Sequence, residues 1–287
     1  MKHMKLFPLF TISFPIFLLL TSCTTKKKIK ESKPLHETFT QYSESVKDTF
    51  YIDVQLPKEY YKNPNKNYTT VYLLDGNFFF PITAPLQHQY ESTGLLKPII
   101  LVSIGYKSFK TMDSLRVRDY LYPKSIPSDE IEAIGGGQKF KNFITNELIP
   151  QIDSEFRTKK DDRVLAGHSF GGYFVLYALW NQLDTEKSDF KSFISASPTL
   201  WYNNFYLNQL PEKLKEKNKD LNLFLTVGGK ENATWAVQPV IDFSKQIKIL
   251  EIKNLQFKNR VYNHLDHMDL GLLSFTKGLQ ELTQEQN

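Results

Sequence analysis

The chain has 287 residues, enough for one sizeable core and short for two domains, with 36 Lys and Arg against 31 Asp and Glu, a formal charge of +5 and a single cysteine. One thiol excludes an internal disulfide. Lys2, Lys5 and the five lysines of residues 24–34, set against Glu31, leave −1 for the remainder, so the basic excess gives no support for a nucleic-acid-binding body.

Residues 1–22 read as an address. Lys2 and Lys5 precede an apolar run from Leu6 to Leu20, and small polar residues lead to Cys23. Pro8 and Pro15 interrupt the run, which falls short of the roughly twenty apolar residues that a membrane span needs. A signal peptide is therefore expected rather than a transmembrane helix. Leu20-Thr21-Ser22-Cys23 resembles the lipobox of bacterial lipoproteins, in which the cysteine is linked to diacylglycerol and becomes the mature N-terminus. The mature protein is expected to be extracytoplasmic and tethered, each buried lipid methylene adding about 0.8 kcal/mol of membrane affinity. Residues 23–37 read as the lipidated cysteine and a flexible basic tether, and a single domain is expected over 38–287.

Within that domain Phe50, Ile52, Val54 and Leu56 alternate with Tyr51, Asp53 and Gln55, the period of a half-buried strand, and Pro57 stops it. Residues 63–67, Asn-Pro-Asn-Lys-Asn, predict a turn. Thr69–Leu74 and Ile99–Ile104 are short apolar runs rich in β-branched residues, as in strands buried on both faces. Arg163–Ala166, Ser192–Ala196, Leu221–Val227 and Leu255–Val261 predict the later strands. Phe140, Phe143, Ile144, Leu148, Ile149, Ile152 and Phe156 form one apolar stripe at helical spacing. Tyr173–Trp180, Val237–Ile249 and Leu270–Leu282 predict further helices. Alternation of this kind implies a mostly parallel sheet covered on both faces, with an antiparallel start at the early strand.

The most specific motif is Gly167-His168-Ser169-Phe170-Gly171-Gly172, set between the apolar strand ending at Ala166 and the apolar helix opening at Tyr173. A Gly-x-Ser-x-Gly sequence in that setting predicts a nucleophile elbow, with Ser169 on a sharp turn at the carboxyl end of the sheet. A serine hydroxyl needs a base to take its proton. Of the six histidines, His3 belongs to the leader and His36 lies in the tether. His168 neighbours the serine and diverges from it, and His88 precedes it in the chain. His264 and His267 follow the last strand, and His267, just before the terminal helix, is favoured as base. The acid that orients it is expected after the preceding strand, where Glu231 stands in Gly228-Gly229-Lys230-Glu231-Asn232, with Asp242 and Asp266 as alternatives. Phe170 N–H is the expected first oxyanion donor, and a second is expected from residues 71–77. No metal site or cofactor is expected, since the histidines lack ligand spacing and the one thiol belongs to the anchor.

Taken together, Tyr72-Leu73-Leu74-Asp75-Gly76-Asn77, Arg116-Val117-Arg118-Asp119-Tyr120, the elbow, Ser197-Pro198-Thr199-Leu200-Trp201 and Asp266-His267-Met268 resemble the esterase family of α/β-hydrolases. That family includes esterase D, enterochelin-type siderophore esterases, feruloyl esterases and mycolyltransferases. The resemblance implies an α/β-hydrolase fold, implies Asn77 N–H as the second oxyanion donor, and adds weight to Glu231 and His267. The Leu-Leu-Asp-Gly and Ser-Pro-x-Leu-Trp segments look most like the siderophore-esterase branch. The expected activity is hydrolysis of a small carboxylic ester through an acyl-enzyme, with siderophore-type esters as the candidate substrates; a carbohydrate acyl esterase and a non-catalytic binding lipoprotein are the alternatives. Arg116, Arg118, Tyr106 and Trp201 are candidate substrate contacts, although ion pairing accounts for the two arginines equally well.

Overall fold

The computed structural model describes residues 33–283. The expected leader, the lipidation site at Cys23 and the tether up to residue 32 lie outside the described residues. Strand β1 (His36–Ser43) opens the fold two residues before the expected boundary and forms an antiparallel hairpin with β2 (Asp48–Gln55) through residues 44–47. The antiparallel start is therefore made upstream of the turn at 63–67, which instead carries the chain to β3 (Tyr68–Leu73). β4 (Ile99–Gly105) lies between β2 and β3, antiparallel to the first and parallel to the second. β5 (Thr158–His168), β6 (Ser192–Ala196), β7 (Leu221–Gly228) and β8 (Leu255–Tyr262) continue the sheet in parallel, giving the order β1-β2-β4-β3-β5-β6-β7-β8.

Alternate residues of the central strands supply two separate cores, as the two-residue period of a strand requires. Val71, Leu73, Ile99, Leu101, Val164, Ala166, Ile194 and Phe224 face α1 (Gly76–Ser92) and α9 (His267–Thr283), which add Phe79, Phe80, Ala84, Phe275 and Leu279. Tyr72, Leu74, Ile100, Val102, Leu165, Phe193, Leu223 and Leu225 face the opposite way. That second face is covered by α2 (Phe109–Tyr120), by α3 (Gly137–Asn142) and α4 (Ile149–Glu155) joined through a π turn, and by α5 (Phe170–Gln182). After the short α6 (Tyr202–Phe205), with left-handed backbone at Asn203 and Asn204, α7 (Leu210–Lys217) and α8 (Gln238–Ile249) complete it. Each large apolar side chain so buried contributes about 1.5–3 kcal/mol relative to exposure. The result is the α/β-hydrolase fold, with the carboxyl ends of β3, β5, β6 and β7 converging on one edge. Among the described residues no helix is long and apolar enough to cross a membrane.

Candidate active site

β5 ends at His168 and α5 begins at Phe170, so Ser169 alone makes the turn. Its backbone lies at φ 62°, ψ −120°, which costs a non-glycine residue on the order of 1–3 kcal/mol. The turn is tied on both sides. Ser169 N–H donates to Ala196 O at the end of β6 (2.9 Å), and Ser169 O accepts from Tyr173 N–H in α5 (2.9 Å). Glycine is required at two neighbouring positions: a Cβ on Gly167 would collide with Gly171 O, and one on Gly172 would stand 2.7 Å from Ala196 O.

His267 is the first residue of α9, and Glu231 lies in the turn after β7. The imidazole Nδ1 stands 2.7 Å from Glu231 Oε2, and the rest of the carboxylate is also engaged. Glu231 Oε1 accepts from Gly228 N–H (2.7 Å), and Oε2 accepts from the Ser197 hydroxyl (2.5 Å). With Nδ1 turned to the carboxylate, Nε2 is the nitrogen left for chemistry. Neither rival acid reaches the ring: Asp242 accepts from Gln238 Nε2 along α8, and Asp266 accepts from the His267 backbone N–H. His264 is exposed.

Burial would raise the Glu231 carboxyl, but the hydrogen bonds from His267, Ser197 and Gly228 outweigh it and hold the group below its ordinary value of 4.5. A depressed carboxylate stabilises the fold fully above its unfolded value, and that stability is lost as pH falls through the folded value. Urea midpoints measured from neutral pH down through 4.5 should therefore fall more steeply for the wild type than for Glu231→Gln, and parallel curves would refute the assignment.

His168 packs against His267. Burial pushes its imidazole down to about 3, so it is neutral at ordinary pH, and its Nε2–H donates to the carbonyl of His267 (2.9 Å). The two rings lie 4.5 Å apart. On the far side of the elbow, Asp75 caps α1 with left-handed backbone (φ 54°). Its buried carboxylate accepts two parallel bonds from Arg116, Nε to Oδ1 (2.9 Å) and Nη2 to Oδ2 (2.8 Å). Arg116 Nη2 also donates to His168 O (3.1 Å), and the guanidinium carbon stands 5.2 Å from the Phe170 ring centre.

Asn77 and Phe170 belong to the first turns of α1 and α5, where backbone N–H groups have no acceptor within the helix. The Asn77 side chain locks its loop to the end of β4, with Oδ1 accepting from Tyr106 N–H (2.7 Å) and Nδ2 donating to Tyr106 O (2.8 Å). Ser169 and His267 line one cleft of about 480 Å³, walled by Phe78, Phe79, Phe109, Met112, Arg116 and Met268. Among the described residues no hydrogen bond joins the Ser169 hydroxyl to His267. A second cavity of about 560 Å³ opens on the Glu231 side of His267, with Trp201 and Trp235 among its walls.

Three of the four expected substrate contacts have other engagements. Arg116 borders the cleft, but its fork is spent on Asp75. Arg118 pairs with Asp119 and Asp48, and Tyr106 is buried with its hydroxyl on Asp119 (3.0 Å). Neither lines either cavity, and carboxylates nearby in the fold claim their polar ends. Trp201 does line the second cavity. Sequence reasoning missed Ser197, Asp75 and Trp235 as site residues. Ser197 and Asp75 lay inside recognised motifs, yet their partners are 34 and 41 residues away in the chain, and no spacing signals that.

Among the described residues no group of three or more His, Cys, Asp or Glu could hold a metal ion. The ferri-bacillibactin esterase BesA of Bacillus subtilis is 29% identical over 198 residues, which cover 64% of this chain and 66% of that enzyme. The siderophore enterobactin esterase of Emericella nidulans is 31% identical over 174 residues, 54% of this chain and 55% of the relative. The chain thus spans two thirds or less of the length of these curated relatives. The crystal structure of a BES protein from Bacillus cereus superposes with a TM-score of 0.74 at 26% identity, covering 90% of this chain and 98% of that one. Residues 43–277 match one family over most of the described fold, and the chain belongs to that family, Putative esterase.

Proposed function

We propose that the chain is a serine esterase that cleaves siderophore-type esters through an acyl-enzyme. The observation that carries the reading is that His267, held at Nδ1 by Glu231, lines the same cleft as the strained Ser169. In this mechanism the Ser169 hydroxyl attacks the ester carbonyl carbon while His267 Nε2 takes its proton, and Glu231 stabilises the imidazolium through Nδ1–H. The oxyanion is met by the N–H groups of Phe170 and Asn77. His267 then gives its proton to the departing alcohol oxygen, and water attacks the acyl-enzyme by the same route. The substrate class is supported by the relatives that act on ferri-bacillibactin and enterobactin, and by the aromatic walls at Trp201 and Trp235, which suit ring-bearing esters. Extracytoplasmic anchoring through Cys23 belongs to the same proposal, resting on the apolar leader and the lone cysteine, and cell fractionation tests it.

The discriminating experiment incubates the protein with a cyclic tri-catecholate ester and, separately, with methyl ferulate. Faster release of linear catecholate acid is the expected result. Preference for methyl ferulate would move the reading to an acyl esterase for carbohydrate side chains, and no turnover of either would favour a binding protein.

A further inference from the structure

We propose that Ser197 is a positioning residue of the proton relay, holding the Glu231 carboxylate in the orientation that His267 needs. The inference rests on the serine-esterase reading above. Ser197 follows β6, lies next to the active-site edge of the sheet and is 3% exposed. Its hydroxyl donates to Glu231 Oε2 at 2.5 Å and stands 3.0 Å from His267 Nδ1. The hydroxyl has one proton, and the carboxylate takes it; the oxygen can then accept a share of the Nδ1–H whose main acceptor is Glu231 at 2.7 Å. Ser197 therefore touches both the acid and the base but not the reacting atoms.

The backbone shows that this placement is held against a cost. Ser197 sits at φ 43°, in the left-handed region where a glycine would be free of strain. Its N–H donates to Thr226 O (2.8 Å), and the following residues Pro198 and Thr199 line the cavity on the Glu231 side. A position chosen for the turn alone would suit glycine; the serine brings a hydroxyl to the one oxygen that His267 also uses. Without it, Glu231 Oε2 would keep His267 as its single donor, and the carboxylate would be held against that ring only by the Gly228 N–H bond to Oε1. The charged and titratable groups around Glu231 are His267, His168 and Asp266.

The test compares Ser197→Gly and Ser197→Ala with the wild type, using a short p-nitrophenyl ester. Rates are expressed per site labelled by a fluorophosphonate, so that misfolded protein is not counted. Expected is a fall in kcat of about tenfold or more with KM nearly unchanged, and an acid limb of the kcat profile that moves to higher pH, as loss of a charge-assisted hydrogen bond predicts. Ser197→Gly should show this even though its backbone is relieved. If turnover per labelled site and the acid limb stay at wild-type values, Ser197 is merely structural and the proposal fails, whatever happens to the labelled fraction. Failure of the wild type to label at Ser169 would instead overturn the esterase mechanism itself, so the two failures are distinguishable.

Discussion

Ser169→Ala should lower ester turnover on the order of 10⁴- to 10⁶-fold while leaving the urea midpoint close to the wild-type value. In the proposed mechanism the loss is large because nucleophile, base and acid act as one unit: once the hydroxyl is gone, only substrate binding and the oxyanion donors remain to assist water. The fold should not register the change. Alanine at φ 62° carries the same backbone cost as serine, and among the described residues no hydrogen bond uses the Ser169 hydroxyl. A fluorophosphonate should label the wild type at Ser169 alone, as located by mass spectrometry. Retention of most of the turnover in the variant, or labelling elsewhere, would show that another residue attacks the ester.

Arg116→Leu is expected to destabilise the protein by about 3–5 kcal/mol, because it leaves the Asp75 carboxylate buried without its partner. The Asp75 side chain is 3% exposed, so water cannot replace the lost bonds. Burial already pushes that carboxyl above its ordinary value, with Arg116 pulling the other way. Lysine should rescue only in part, since an ammonium cannot reproduce two parallel bonds to one carboxylate and a third to His168 O. Urea unfolding of Arg116→Leu and Arg116→Lys measures both effects. The activity of whatever folds should fall too, because Asp75 starts the helix that bears Asn77 and Arg116 braces the elbow. A stable, fully active Arg116→Leu protein would show that the pair supports neither.

Which parts of this arrangement could be read from sequence follows from how local each signal is. β3, β4, β6 and β7 are apolar runs with no competing period, and they fall within a residue or two of the expected bounds. β1 was not foreseen because His36–Ser43 is polar, as an edge strand with one partner can be. α1 was hidden by Pro81 and Pro85, which read as helix breakers yet are accommodated in a helix held down by Phe79, Phe80 and Ala84. α2 buries only Met112, Asp119 and Tyr120, too little for an apolar stripe. At the site, the elbow glycines and the late histidine are local features, so Ser169 and His267 stand out in the sequence as candidates. Ion pairs and hydroxyl contacts are made by the fold, and Arg116, Arg118 and Ser197 could be assigned partners only from coordinates.

The bond from the His168 ring to the carbonyl of His267 has a wider implication. His168 and Ser169 are adjacent in the chain, so the backbone of His267 is moored to the peptide neighbour of Ser169. Trp201 and Trp235, which wall the second cavity, stand by contrast outside both β5 and α9. A lineage could exchange these two tryptophans, and with them the shape of that cavity, while His168, Ser169 and His267 keep their alignment.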